Sequence, residues 1–222
     1  MAISVYKNVC QPIYTVTTHA PFCALFLHKG NDIMDIHPIE PYFNNLIENS
    51  TDQRLSDVIL WCTRPYSGVP HWITSFTYAN GAAHGFGGFS LDMFKPHRHE
   101  AAPDADADTP NFEGSLKATE RTAKRLVSSS PGRLQKIRFT EVVTTADVLG
   151  LIQERKLQYY RFNTECCSGC MCWQLTLLDT FVEKGWIPSA EVQSARDVIK
   201  AFSQEHPGVS YPPVAGTFLT AA

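Results

Sequence analysis

The sequence has no apolar run approaching the roughly 20 residues that cross a bilayer. Its first residues, MAISVYKNVCQPIY, lack the basic, apolar and small-residue order of a secretory signal. We therefore expect a soluble, cytoplasmic protein with no membrane partner. Glycines cluster in NGAAHGFGG (residues 80–88), but no Lys-Ser or Lys-Thr pair follows them, which argues against a phosphate-binding loop. No ATP site is visible, and no cofactor is expected.

The seven cysteines make an odd number, and a reducing compartment would keep them as thiols or metal ligands rather than disulfides. Four of them, Cys166, Cys167, Cys170 and Cys172, lie within one short stretch. Zinc sites normally draw their ligands from two separated pairs, so this local cluster does not predict a metal. A structural zinc stays open as an alternative, and so does simple packing of each thiol as a small buried side chain.

Short runs of β-branched and aromatic residues predict strands, and helical patterns follow them. The predicted strands are PIYTVTTH, CALFLHK, DVILWCT, HWITSFTY, FSLDMF and LQKIRFTEVV. The predicted helices begin at Thr144 or Thr145, near Ser168 or Gly169, and at Pro188 or Ser189. This order predicts an α+β fold with an antiparallel sheet and packed helices. We expect a single domain over residues 1–222, with a loop insertion at about 95–115.

Charge is distributed unevenly along the chain. An acidic, proline-containing stretch at residues 100–113 is followed by residues 117–138, where seven basic residues and one acid leave about six positive charges. This stretch is a candidate contact for a polyanion. A solvated helix face, balanced by the acidic loop, explains the same pattern.

One cysteine of the cluster has a distinct predicted setting. If Ser168 caps the following helix, Cys170 falls in the first turn, where free N–H groups and the positive end of the helix dipole favour a thiolate. His71 begins a predicted strand and is the candidate base, and Asp92 on the next strand is the candidate group that orients it. For Asp92, a plain strand-edge carboxylate is the alternative.

The motifs HWITSF, FSLDM, YYRF, GCMCW, KGWI and YPPVAGTF occur in an order that resembles a fungal family of small proteins, across roughly residues 55 to 218. The order of histidine, polar residue and later helix-start cysteine is also similar to permuted papain-like enzymes of the NlpC and lecithin:retinol acyltransferase types. The fungal family further resembles arginine-containing cyclodipeptide synthases, which join arginine and a second amino acid from two aminoacyl-tRNAs. These resemblances imply a papain-like permuted core and acyl transfer through a thioester on Cys170.

The resemblance also implies roles for further residues. Substrate would be bound by Glu183, Asp179, Trp173 and Trp72, the carboxylates holding a guanidinium or a free α-amine. Arginyl-tRNA and a second aminoacyl-tRNA would be bound by Arg161, Lys117, Arg121, Lys124, Arg125 and Arg133. The family pattern has Asp-x-x-Glu after the cysteine motif, whereas here Thr180 precedes Glu183 at that spacing and Asp179 lies one position earlier.

Two other functions fit the residues. One is a Cys–His amidase, peptidase or acyltransferase that acts on a small acyl substrate without tRNA. The other is a non-catalytic or zinc-stabilised binding protein. For Arg161, an ordinary salt bridge is the alternative to a phosphate contact.

Overall fold

The computed structural model describes residues 51–63, 70–81, 85–95, 112–166 and 168–219. The predicted strands PIYTVTTH and CALFLHK, the residues Cys10, Cys23 and Cys167, and most of the predicted loop insertion lie outside them. The described residues have an α+β fold as predicted, with a five-stranded antiparallel sheet and three helices among them. Within the described ranges, no helix has both the length and the apolar character needed to cross a membrane.

The strands of the main sheet are β1 (Arg54–Cys62), β2 (Trp72–Tyr78), β3 (Gly88–Phe94), β4 (Ser115–Arg121) and β5 (Arg133–Thr144). Their order in the sheet is β4-β3-β2-β1-β5, so β4 and β5 are its edges among the described residues. The helices are α1 (Thr145–Glu154), α2 (Cys170–Glu183) and α3 (Ser189–Glu205). Two short strands, β6 (Tyr160–Arg161) and β7 (Thr217–Phe218), form a separate antiparallel pair.

Four predicted strands and all three predicted helices agree with the described structure, and one segment does not. The basic stretch was interpreted as a possible helix face, but its first part is the edge strand β4 and its last part is β5. Between them lies a single 3₁₀ turn, Ala123–Arg125. The helix interpretation is therefore wrong, and the reason is that Leu116 and Ala118 alternate with polar residues and point into the core.

Helices α2 and α3 pack on one face of the sheet through aromatic side chains. Phe181 on α2 meets Phe76 on β2 and Phe139 on β5, each with ring centroids 6.0 Å apart. Phe202 on α3 contacts Trp72 edge to face at 6.1 Å. These rings are all buried, so removing any one of them would leave a cavity in the core.

The opposite face of the sheet is covered by the segment that joins β4 to β5. Trp61 donates its indole N–H to Ser75 Oγ (2.9 Å), and Ser75 Oγ donates in turn to the Leu126 carbonyl (2.6 Å). Leu126 is itself buried. The segment that joins β4 to β5 is therefore held against the middle of the sheet. Side chains reach a helix terminus at the ends of β2 and β3.

Helix α1 begins with the cap that the sequence predicts at Thr144. The Thr144 hydroxyl accepts from the Asp147 N–H, and the Asp147 carboxylate accepts from the Thr144 N–H at 2.8 Å, which completes a capping box. This local signal is readable from sequence because both partners lie within one turn.

Candidate active site

Helix α2 begins at Cys170 because a glycine precedes it. Gly169 has a φ of +145° and occupies the position before the first helical residue, and its carbonyl accepts from the Tyr160 hydroxyl at 2.9 Å. A Cβ at residue 169 would lie 2.7 Å from that hydroxyl oxygen. The backbone here both requires a conformation that glycine tolerates and leaves no room for a side chain.

The start of α2 carries no side-chain cap. The expectation that Ser168 caps this helix is therefore wrong, since residue 169 takes the cap position and has no side chain to offer. The cap residue therefore offers no side-chain acceptor to the N–H groups of the first turn, which begins at Cys170. A thiolate or a developing oxyanion is stabilised by such donors and by the positive end of the helix dipole.

His71 is fixed to the end of the β1–β2 ladder by two backbone contacts. The Thr63 N–H donates to the His71 carbonyl (2.9 Å), and the His71 N–H donates to Thr63 Oγ1 (3.1 Å). The imidazole Nε2 then lies 2.5 Å from Asp92 Oδ1. Strand β3 runs antiparallel to β2 with Thr74 opposite Leu91, and this register brings Asp92 beside the start of β2.

Cys170 lies close enough to the His71 imidazole to affect its pKa. Burial lowers the pKa of His71, but the hydrogen bonds and negative charges of Asp92 and Cys170 outweigh it and raise the pKa from 6.5 to about 10. At neutral pH the ring is therefore an imidazolium. Asp92 occupies Nε2, which leaves Nδ1 as the ring nitrogen without this carboxylate partner.

A buried amide joins the elements that carry these three residues. Gln174, one turn after Cys170 on α2, is completely buried. Its Nε2 donates to the Trp72 carbonyl (3.2 Å) and the Leu91 carbonyl (3.4 Å), and its Oε1 accepts from Thr74 Oγ1 (2.5 Å). Trp72 adjoins His71 and Leu91 adjoins Asp92 in the chain. Gln174 thus sets the position of the helix relative to both strands next to the reactive groups.

A cavity of about 240 Å³ opens beside Cys170. Its walls come from the start of β2, the start of α2 and the segment after α3. The described lining residues are Pro70, Trp72, Cys166, Ser168, Cys170, Met171, Gly208, Val209, Ser210 and Val214. None of them carries a formal charge at neutral pH if the thiols are protonated, and the large side chains among them are apolar.

The two tryptophans predicted to bind substrate have different settings. Trp72 lines the cavity, and its indole N–H is buried with no hydrogen-bond partner among the described residues. Trp173 is fully buried, and its indole N–H donates to the Leu157 carbonyl at 2.7 Å. The structure therefore places Trp72 at the cavity and Trp173 in the core.

The predicted carboxylate pair lies away from the thiol. At a rise of about 1.5 Å per residue, Asp179 is about 14 Å and Glu183 about 20 Å along α2 from Cys170. Asp179 accepts two hydrogen bonds from Arg196 (2.6 and 2.8 Å), and Glu183 lies 3.3 Å from Arg155. Both carboxylates already have an arginine partner, and the structure does not bring them to the cavity.

The predicted tRNA-binding residues are spread over the molecule. Lys117 and Arg121 lie on the edge strand β4, and Lys124 and Arg125 follow in the exposed 3₁₀ turn. Arg133 lies on the opposite edge strand β5, where it pairs with Glu205. Arg161 on β6 is 3.4 Å from Glu113, the salt bridge that sequence analysis weighed as its alternative role.

Lys117 lies directly opposite Asp92 in the β3–β4 register.

The other cysteines near the site differ from Cys170 in setting. Cys62, at the end of β1, is fully buried, and burial raises the pKa of its thiol to about 11. Cys166 is exposed and shares the cavity with Cys170. Cys172 is buried in α2. Of these, Cys166 is the thiol that a reagent would reach besides Cys170.

Sequence reasoning missed Gln174 and the cavity. A signal for Gln174 existed, because it is the polar residue in the apolar run CMCWQL and lies four positions after Cys170. The cavity had no such signal, since Val209 and Val214 come from a loop whose position only the folded chain defines.

Comparison with known families gives one match. A family model described as a domain of unknown function (DUF7770) matches residues 65–219. Comparisons with curated proteins and with solved structures each find no match.

Proposed function

Since the chain belongs to the DUF7770 family, whose description states no function, we propose one from the site itself: the protein is a cysteine-dependent acyl-transfer enzyme. Cys170 is the nucleophile, His71 carries the proton and Asp92 orients His71. The observation that carries the proposal is the 2.5 Å contact between Asp92 and His71 beside Cys170, which is the first residue of a helix whose cap position is a glycine. The effect of Cys170 on the pKa of His71 supports the same grouping. A nucleophile, a base within hydrogen-bond reach and a third group that orients the base define this class of site.

The reaction takes two balanced steps. The Cys170 thiolate attacks the carbonyl carbon of an ester or amide, and the first-turn N–H groups of α2 stabilise the oxyanion. The C–S bond forms as the bond to the leaving group breaks, and the His71 imidazolium gives its proton to that group. An amine or water then attacks the thioester and loses a proton to His71, while the C–S bond breaks and the thiolate is restored.

A papain-like permuted core and an aminoacyl-tRNA donor are the finer parts of this proposal. An aminoacyl-tRNA is an activated ester, so the same thiol chemistry yields a cyclic dipeptide once the second amine attacks and the ring closes. Lys124 and Arg125 support a phosphate contact, because both are exposed and neither makes an ion pair within the described residues. The cytoplasm, as a reducing compartment, would keep Cys170 a thiol.

An amidase, peptidase or acyltransferase that works without tRNA is the second candidate. The observation in its favour is that Asp179 and Glu183, proposed to hold arginine, are occupied by Arg196 and Arg155. Tight ion pairs of this kind leave no free carboxylate at these positions for a guanidinium.

The test is the mass of the protein after incubation with an activated ester or with charged tRNAs. We expect one added acyl mass in the wild type and in Cys166→Ala, and none in Cys170→Ala. An adduct that survives Cys170→Ala would refute the assignment. So would a Cys170 that iodoacetamide alkylates but no acyl donor acylates, an outcome that would favour the non-catalytic alternative. Acylation by esters without any cyclic dipeptide from charged tRNAs would refute the tRNA part alone.

A further inference from the structure

The cavity beside Cys170 bears on which acyl groups the site accepts. It is small, at about 240 Å³, and Cys170 itself forms part of its wall. Ligand cavities commonly measure about 300–1,000 Å³, so this one suits part of a small molecule rather than a whole large one. A group bonded through its carbonyl to the sulfur would lie beside this space.

The described wall offers mainly apolar surface, and the one negative charge that the proposed function places in it, the Cys170 thiolate, is already balanced by the His71 imidazolium. Pro70, Trp72, Met171, Val209 and Val214 supply the apolar side chains. No carboxylate lies among the described lining residues, and a cation that leaves water for such a surface without a partner pays a large desolvation cost. Burying apolar area, by contrast, stabilises a ligand by about 25 cal/mol per Å².

We propose that this cavity holds the uncharged, apolar part of the acyl group that Cys170 accepts, an aliphatic or aromatic chain rather than an arginyl side chain. That the apolar group is the acyl group bound to Cys170 rests on the proposed function. The apolar binding itself depends only on the cavity wall and is tested separately below.

Val214 is the residue through which to test the cavity. It lines the space, it is only partly buried, and it lies on a loop, so a larger side chain there fills the cavity without entering the core. Val142 on β5 gives a matched control, because it is 67% exposed. The variants Val214→Phe and Val142→Phe therefore make the same substitution inside and outside the cavity.

The first measurement is the rate at which p-nitrophenyl acetate, hexanoate and 4-guanidinobutanoate acylate Cys170. We expect the rate of hexanoyl transfer to exceed the rate of guanidinobutanoyl transfer by more than about tenfold. Tenfold is the lower end of the rate difference that methylene contacts in an apolar pocket produce. In Val214→Phe, hexanoyl transfer should fall by about tenfold or more while acetyl transfer stays within about twofold, which also shows that the variant is folded. Val142→Phe should match the wild type. Equal rates for the two longer esters, or equal losses of acetyl and hexanoyl transfer in Val214→Phe, would overturn the inference.

The second measurement needs no acyl transfer. Hexanamide, an uncleaved ligand, should slow alkylation of Cys170 by iodoacetamide in the wild type and in Val142→Phe, but not in Val214→Phe, whereas 4-guanidinobutanamide should protect none of them. If no ester acylates Cys170 and hexanamide still protects it, the proposed function fails and the apolar site stands. If hexanamide protects no better than the guanidino compound, the apolar site is refuted whatever the esters do.

Discussion

Gln174 provides the sharpest test of how the site is held together, through the substitution Gln174→Leu. Leucine has a similar size but cannot replace the contacts to Thr74 Oγ1 (2.5 Å), the Trp72 carbonyl (3.2 Å) and the Leu91 carbonyl (3.4 Å). Each buried polar group left without a partner costs about 1–3 kcal/mol. Because two of the three contacts are long, we expect the unfolding free energy to fall by about 2–4 kcal/mol in total.

The substitution should also affect chemistry, because α2 would no longer be held in position against β2 and β3. A misplacement of about 1 Å can slow a reaction by roughly 100-fold. We therefore expect slower alkylation of Cys170 by iodoacetamide in folded protein. Both effects are measured on the same samples, by denaturant unfolding and by mass-resolved alkylation.

The matched control is Gln193→Leu on α3. Gln193 is exposed, and its side chain bonds only Asp197 in the described structure, at 3.0 Å. Substitutions at such surface sites usually change stability by less than about 0.5 kcal/mol. If Gln174→Leu is no less stable than Gln193→Leu and its Cys170 reacts at the wild-type rate, then Gln174 does not position the site.

Three further predictions follow from the site. Asp92→Asn removes a charge and an acceptor that raise the pKa of His71, so the alkaline decline of acyl transfer from an alkyl ester, whose leaving group takes the His71 proton, should move from near pH 10 to lower pH; an unmoved limb in the pH–rate profile would contradict the role of Asp92. His71→Gln should lose the folding stability that the raised pKa of His71 provides. Compared with wild type, the loss of unfolding free energy is complete below pH 6.5, shrinks as pH rises and vanishes above about pH 10, and denaturant unfolding at a series of pH values would show this. Gly169→Ala should destabilise the protein more than Gly185→Ala, because both positions have positive φ but only residue 169 would meet the Tyr160 hydroxyl; equal unfolding free energies would argue against that contact.

The sequence predicted those parts of the fold whose cause lies in neighbouring residues. Thr144 and Asp147 cap α1 within one turn, and the β-branched runs around Trp61 and Trp72 form adjacent strands. The sequence analysis did not predict the strand Ser115–Arg121. Its charged residues lie on an edge of the sheet, and they obscure a short alternation of apolar and polar residues. The cap expected at Ser168 was wrong because a glycine with positive φ replaced it.

For the candidate site, the structure shows the contact between His71 and Asp92 that the sequence analysis expected, at 2.5 Å. The roles of Cys170, His71 and Asp92 in a reaction stay predictions. The Gln174 contacts join segments about 80 to 100 positions apart, and the cavity wall joins segments as distant as Pro70 and Val214. A single sequence carries no direct signal for either. Charge pattern alone misplaced the carboxylates, because it cannot show that Arg196 and Arg155 already pair with Asp179 and Glu183.

The contacts of His71 also have a consequence for folding. His71 and Asp92 lie on neighbouring strands, whereas Cys170 comes about 80 to 100 positions later, and such distant contacts form slowly because a long loop must close first. During synthesis Cys170 emerges long after its partners, and until the strands and α2 have docked it is an ordinary, mostly protonated thiol. Under the proposed function, enhanced reactivity of Cys170 would report on completed folding, and an unfolded or newly made chain would lack the chemistry of its proposed nucleophile.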